Sequence, residues 1–429
     1  MKLLVIADDF TGALDTGVQF KAKNTLIRIR EAQSSALFEN LGSEVQVLII
    51  DAETRHMPSA LAYETVYEIV AEAKKANIPC IYKKTDSALR GNIGSELSAA
   101  LAASGQTQLH FVPAFPRMDR ETRDGIHFIS GVPVAESVFG ADAFEPVRCS
   151  AVADIIGLQS DVAVLPIHKN AWMEEELRGG ILLYDASTDE DLQAIALHLK
   201  KTDRLKLLAG CAGFAAMLPE LLQLEQRSDH LPQLPPRLLT ICGSINPITV
   251  RQMDLAEQMG MARVRLTPQQ KLEASWMERD EGQQCLEHWQ ELLEEEGSLI
   301  IECGGAFEEA ELPAYEQTFH IRCEDMRVRI ADNLGKILKQ LLNLGIQSTI
   351  MVTGGDTLRA FMHQIHLSEL ADICEVMPGV VLAGIVYKGE KFALISKSGG
   401  FGEEDLLICL LKTVSGAEPV MAGAVERVQ

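Results

Sequence analysis

The chain has 429 residues, 47% hydrophobic and 23% charged, which is the make-up of an ordinary globular protein of about two or three domains. A formal net charge of -22 excludes a general nucleic-acid surface, and nine cysteines without a C-x-x-C pair exclude a disulfide framework or a zinc knuckle. Its apolar runs fall short of the roughly 18 residues that span a bilayer. MKLLVIADD also lacks a secretory apolar stretch, so no membrane partner and a cytoplasmic location are expected.

In chain order, LLVIA, VQVLII, CIYKK, LHFVPA, VAVLPI, ILLYD and LKLLAG read as strands. The periodic segments SALAYETVYEIVAEAKKA, GSELSAALAA and DEDLQAIALHLKK lie between them and read as helices. Strands that alternate with helices predict an α/β fold with mainly parallel sheets flanked by helices. The first strand runs straight into Asp8-Asp9, two carboxylates that each need water, a donor, a metal or a cation. A D-x-D phosphatase nucleophile is excluded because the two are adjacent. They should have separate tasks, one holding substrate or acting as base and the other capping a helix that starts near Thr11.

After CIYKK, the stretch TDSALRG sets Lys83, Lys84, Asp86, Ser87 and Arg90 close together. Arg90 offers a planar fork to a carboxylate or phosphate, Ser87 a donor, and Asp86 an acceptor for a sugar hydroxyl. Further on, VPAFPRMDRETRDG carries Arg117, Arg120 and Arg123, which read either as anion contacts or as a face of salt bridges. The prolines of residues 232–236 then mark a linker, which predicts domains at residues 1–232 and 237–429.

In the second half RLLTICGS, SLIIECGG, STIMVTGG and FALISKSGG are strands that each end in glycine, where backbone can approach a phosphate at the next helix N-terminus. In STIMVTGGDTLRAFMHQI the strand should end near Thr353, Gly354-Gly355 should turn, and Thr357 should cap the helix. No G-x-x-x-x-G-K-[ST] and no G-x-G-x-x-G after the first strand occurs, so neither a P-loop nor a dinucleotide fold is indicated. His363 and His366 stand three apart without a carboxylate or cysteine to complete a metal set, and are read as packing residues.

Taken together, IADDFTGALDTG, KKTDSALRG, VPAFP with GVPVAES, GSINPITVRQM, VTGGDT and ISKSGGFG resemble the landmarks of the four-carbon acid sugar kinase family. The resemblance implies ATP-dependent phosphorylation of the terminal hydroxyl of a tetronate, with Mg2+. It implies an N-terminal domain for the acid sugar and a C-terminal domain for ATP. DTGVQF after DDFTGAL resembles the threonate and erythronate branch and favours D-threonate over D-erythronate or a 3-oxo-tetronate. Carried over by position, the acid-sugar contacts are Asp8, Asp9, Lys84, Asp86, Ser87 and Arg90, with Asp9 and Asp86 as catalytic candidates and Arg90 as the clamp for the substrate carboxylate. The ATP contacts are Ser244, Gly354, Gly355, Asp356, Thr357, Gly399 and Gly400, with Mg2+ near Asp356. The family's usual pattern is altered at Ala88, at Asp119 where glycine is common, and in SGGFG. A homodimer and a non-catalytic nucleotide- and acid-binding protein remain open readings.

Overall fold

In a computed structural model the chain is described at residues 1–20, 25–29, 37–39, 41–141, 146–169, 179–225, 233–304, 311–367, 369–377, 379–397 and 402–416. It divides into two compact units, Met1–Asp229 with Ala371–Ile373, and His230–Leu370 with Cys374–Gln429. Residues 226–232, which include the first proline of the linker inferred from sequence, lie outside the described residues. Among the described residues no helix is long and apolar enough to cross a membrane.

The first unit carries β1 (Leu3–Ala7), β2 (Thr25–Ile29), β3 (Val47–Asp51), β4 (Ile81–Lys84), β5 (Gln108–Val112), β6 (Arg120–Arg123), β7 (Ile126–Ile129), β8 (Val132–Pro133), β9 (Val164–Ile167), β10 (Gly180–Tyr184) and β11 (Leu207–Gly210). Its main sheet runs β2-β3-β1-β4-β11-β5-β10-β9, with every assigned pairing parallel. β1, β3 and β10 are buried at every residue. Helices on both faces leave such strands no solvent side, so they read as continuous apolar runs rather than as alternations. The antiparallel arm β6-β7-β8 stands apart from this sheet.

The second unit carries β12 (Leu238–Cys242), β13 (Ala262–Arg265), β14 (Ser298–Glu302), β15 (Thr349–Thr353), β16 (Glu369–Met377), β17 (Val380–Tyr387) and β18 (Glu390–Lys397). Its order is β13-β14-β12-β15-β18-β17-β16, parallel through β18 and antiparallel from β18 to β17. The sequence reading left β2, β13, β16, β17 and the β6-β7-β8 arm unassigned; of these, β6 (RETR) and β13 (ARVR) carry too few apolar residues to announce a strand.

Both sheets share one local order. The first strand lies between the third and the fourth, with the second outside the third, so the winding reverses between β1 and β4 and again between β12 and β15. Crevices at the carboxyl ends of such switch points are where open α/β sheets hold ligands.

Candidate active site

At the first switch point the register brings strand ends level: Ala7 pairs with Asp51, and Ile6 with Lys83. Residues just beyond β1, β3 and β4 therefore emerge together. Asp9 precedes the helix Phe10–Phe20 and caps it, its Oδ1 accepting the Gly12 N–H at 2.8 Å. Arg55, four residues past β3, donates from Nε to Asp8 Oδ2 at 2.8 Å and from Nη1 to Asp9 Oδ2 at 2.6 Å, and its Nη2 lies 3.7 Å from Asp86 Oδ1.

Asp86 accepts Nε and Nη2 of Arg90 at 2.9 and 3.0 Å, and the backbone N–H groups of Ala88 and Arg90. To close this turn buried Leu89 takes a φ of 62°, left-handed backbone that costs a side-chain-bearing residue about 1–2 kcal/mol. Such strain clusters at functional sites. Gly12 leaves room for charge: a Cβ there would stand 2.5 Å from Asp9 Oδ1 and 2.8 Å from Lys84 Nζ. Behind the site Lys83 and Glu96 form a wholly buried pair at 2.6 Å, and Lys83 also donates to the Lys84 carbonyl at 2.6 Å.

These surroundings separate the three aspartates. Burial pushes every one upward, but Arg55, Lys84 and Lys83 more than offset it at Asp8, whose carboxyl lies below the usual range. At Asp86, Arg55 and Arg90 overcome burial by a wide margin and hold it ionised. At Asp9 burial prevails over Arg55, with the charges of Asp8 and Asp86 adding to it, so its affinity for a proton is raised. Among the described residues the buried Asp8 Oδ1 has no hydrogen-bond partner.

The sequence-predicted residues Asp8, Asp9, Lys84, Asp86, Ser87 and Arg90 thus gather at one sheet edge. Arg90, read from sequence as a clamp for a ligand carboxylate, closes its fork on Asp86. Of the three arginines on the arm, Arg117 pairs with Asp189 at 2.5 Å and Arg123 with Glu121 at 3.3 Å. Only Arg120 joins the cluster, its guanidinium 5.9 Å from the centre of the Phe139 ring against which Arg90 also lies, at 5.2 Å. Strand alternation separates them: Arg120 and Thr122 share one face of β6, and Glu121 and Arg123 the other. Asp119, where the family favours glycine, has a φ of 54°, a region aspartate tolerates.

Sequence reasoning missed Arg55 and His127. Arg55 had a signal, a cation just past the strand end VLIID. His127 had none, being wholly buried, with Nε2 2.9 Å from the Ser87 carbonyl and Nδ1 3.1 Å from Thr122 Oγ1. A carbonyl only accepts, so Nε2 carries the hydrogen and Nδ1 accepts from Thr122. Burial lowers this imidazole to about 4, which keeps it neutral while it ties the arm to the DSALRG turn.

The second switch point is built from backbone. Cys242 pairs with Thr353, and Thr353 with Lys397, so three strand ends lie level. Gly354 has a φ of 106° and begins the helix Gly355–Gln364 without a side-chain cap. This corrects the expectation that Thr357 caps: glycine lets the helix start three residues earlier, and Thr357 falls inside its first turn. A Cβ on Gly243 would lie 2.0 Å from Thr357 Oγ1, so the two turns touch because Gly243 bears no side chain, whereas at Gly354 it is the positive φ that calls for glycine. Uncapped first-turn N–H groups favour an anion. Ser244 Oγ accepts the Asn246 N–H at 3.3 Å, and Asp356 accepts Arg327 Nε at 2.7 Å. Lys397, unnoticed in the sequence, donates to Thr249 Oγ1 at 3.1 Å, and burial lowers its ammonium to about 8. Gly399 and Gly400 lie outside the described residues.

Two family models match the chain, a sugar-binding N-terminal domain over residues 3–218 and a nucleotide-binding C-terminal domain over residues 239–407. The chain belongs to the four-carbon acid sugar kinase family. It is 29% identical over 95% of its length to a D-threonate kinase of Salmonella typhimurium, 97% of which is covered. It is 28% identical to a D-erythronate kinase of Heliobacterium modesticaldum, with 94% of each chain covered. A solved Haemophilus influenzae protein superposes with a TM-score of 0.73 at 19% identity, over 96% of this chain and all of that one. As a member of this kinase family the chain is a phosphotransferase with an alcohol group as acceptor.

Proposed function

We propose that this kinase phosphorylates the 4-hydroxyl of a four-carbon acid sugar, D-threonate first, with residues 1–232 holding the acid sugar and residues 237–429 the nucleotide. The observation that carries this reading is the convergence of three carboxylates, Asp8, Asp9 and Asp86, on the Arg55 guanidinium at 2.8, 2.6 and 3.7 Å. Burial raises Asp9 while neighbouring cations hold Asp8 and Asp86 ionised, and groups pushed apart in this way mark acid–base assignments. Asp9 is the base: the hydroxyl oxygen attacks the γ-phosphorus, the bond from phosphorus to the bridging oxygen breaks, ADP leaves, and Asp9 takes the hydroxyl proton. Asp8 Oδ1 and Asp86 accept sugar hydroxyls, while Arg55 and Lys84 keep both aspartates ionised. Arg90 lines the carboxylate end of the substrate beside Ser87.

At the nucleotide turn the N–H groups of residues 355–357, with Ser244 and Lys397, receive the phosphates. Asp356 is the carboxylate of that turn, and one carboxylate with phosphate oxygens fits the way Mg2+ is held. When bound, Mg2+ neutralises charge on the phosphates. D-threonate is favoured by DTGVQF and by the 29% identical relative, and the 28% identical relative makes D-erythronate the second reading. ADP release measured with D-threonate, D-erythronate and a 3-oxo-tetronate under MgATP tests it. Highest kcat/KM is expected for D-threonate; preference for another acid overturns the substrate, and turnover of none overturns the reaction.

A further inference from the structure

A site for an acid must tell a carboxylate from the hydroxymethyl group of the corresponding neutral polyol. Three arginines stand near the aspartates, and two are spent on them: Arg55 bonds Asp8 and Asp9, and Arg90 closes both arms of its fork on Asp86. Arg120 differs. One of its Nη groups donates to the Met118 carbonyl, yet among the described residues its buried Nε has no hydrogen-bond partner. A buried cationic donor without an acceptor is costly, and a native fold keeps one where a ligand supplies the acceptor.

Two further features point to an anion. Burial lowers the affinity of Arg120 for its proton, with nearby Asp86 only partly offsetting this, so a closer negative charge would stabilise the guanidinium. Its position is fixed, since the Phe115 and Arg120 backbones exchange hydrogen bonds at 2.8 and 3.1 Å and the ring of Phe139 packs against the guanidinium.

We infer that Arg120 is the residue that receives the substrate carboxylate and sets the preference for a sugar acid over a neutral polyol, with Arg90 held beside it by Asp86. This rests on the acid-sugar kinase reading and refines its assignment of the carboxylate end.

The test compares wild type, Arg120→Ala and Arg120→Lys with the preferred four-carbon acid, with the tetritol of the same backbone, and with ATP. Losing a charge-assisted hydrogen bond of about 1.5–3 kcal/mol should raise the KM for the acid about 10- to 150-fold in Arg120→Ala. The KM for ATP should hold, and the ratio of acid to tetritol kcat/KM should fall by the same factor. Arg120→Lys should fall between, because it keeps the charge and loses the fork. Thermal unfolding checks that each variant is folded; should Arg120→Ala fail, the ratio in Arg120→Lys decides. An unchanged ratio in a folded variant overturns the inference and leaves the kinase reading standing. A wild type that turns over no four-carbon acid overturns both.

Discussion

The two switch points share a strand order and differ in what they are made of. At β1/β4 the site is made of side chains, three carboxylates and several cations within reach of one another, and its one essential vacancy is Gly12. At β12/β15 it is made of backbone, glycines and open N–H groups, with Lys397 as its buried charge. On the proposed reading the first holds a small ligand by its individual hydroxyls and moves a proton, which needs groups of differing acidity. On the same reading the second holds a chain of phosphates, which needs many equivalent donors and no side chain in the way. The contrast predicts that removing charge damages the first site and adding a Cβ damages the second.

The largest expected effect is at Asp9. Asp9→Asn keeps an oxygen to cap the helix and loses the proton acceptor, so kcat should fall about 1000-fold while the unfolding midpoint hardly moves. A kcat within a few-fold of wild type in steady-state assays would remove Asp9 as base. Next comes Lys83→Met, which strands Glu96 in the interior and should lower stability by about 3–5 kcal/mol in urea unfolding. Adding a Glu96 substitution, Lys83→Met with Glu96→Leu, should return most of the loss. If the double variant is no better than the single one, repulsion from an unpaired Glu96 is not the cause.

On the backbone side, Gly243→Ala drives a methyl group into Thr357 Oγ1 and should raise the KM for ATP about 10-fold while that for the acid sugar stays put. Equal rises for both substrates would erase the distinction between the two sites. The smallest effect is one of pH. Lys397 is charged below about 8 and neutral above it, so nucleotide affinity, measured as ATP dissociation from pH 6.5 to 9.5, should weaken several-fold as pH climbs through 8. Lys397→Met should be weak and flat across the range; a slope that survives the substitution belongs to another group.

Much of this was legible in the sequence because buried parallel strands are written as plain apolar runs, and their ends as abrupt changes to Asp-Asp or Gly-Gly. Register does the rest, since it makes strand ends that are distant in sequence coincide in space. Arg55, His127 and Lys397 were harder. Arg55 looks like any charged loop residue until the pairing of Ala7 with Asp51 is known. His127 and Thr122 sit in an arm whose strands are short and polar, so neither periodicity nor composition marks them. The helix start at Gly354 was misplaced because a capping threonine is the stronger local signal, and only the φ of 106° reveals that glycine, with no side chain to offer, begins the helix.

Gly12 has a consequence for reading relatives. Any side chain there must displace the Asp9 carboxylate or the Lys84 ammonium, while the sheet beneath would be untouched. The position therefore serves as a marker: a homologous chain with alanine or larger at that point should fold and still bind nucleotide, yet transfer no phosphate. A single codon would sort working kinases from descendants kept for some other purpose.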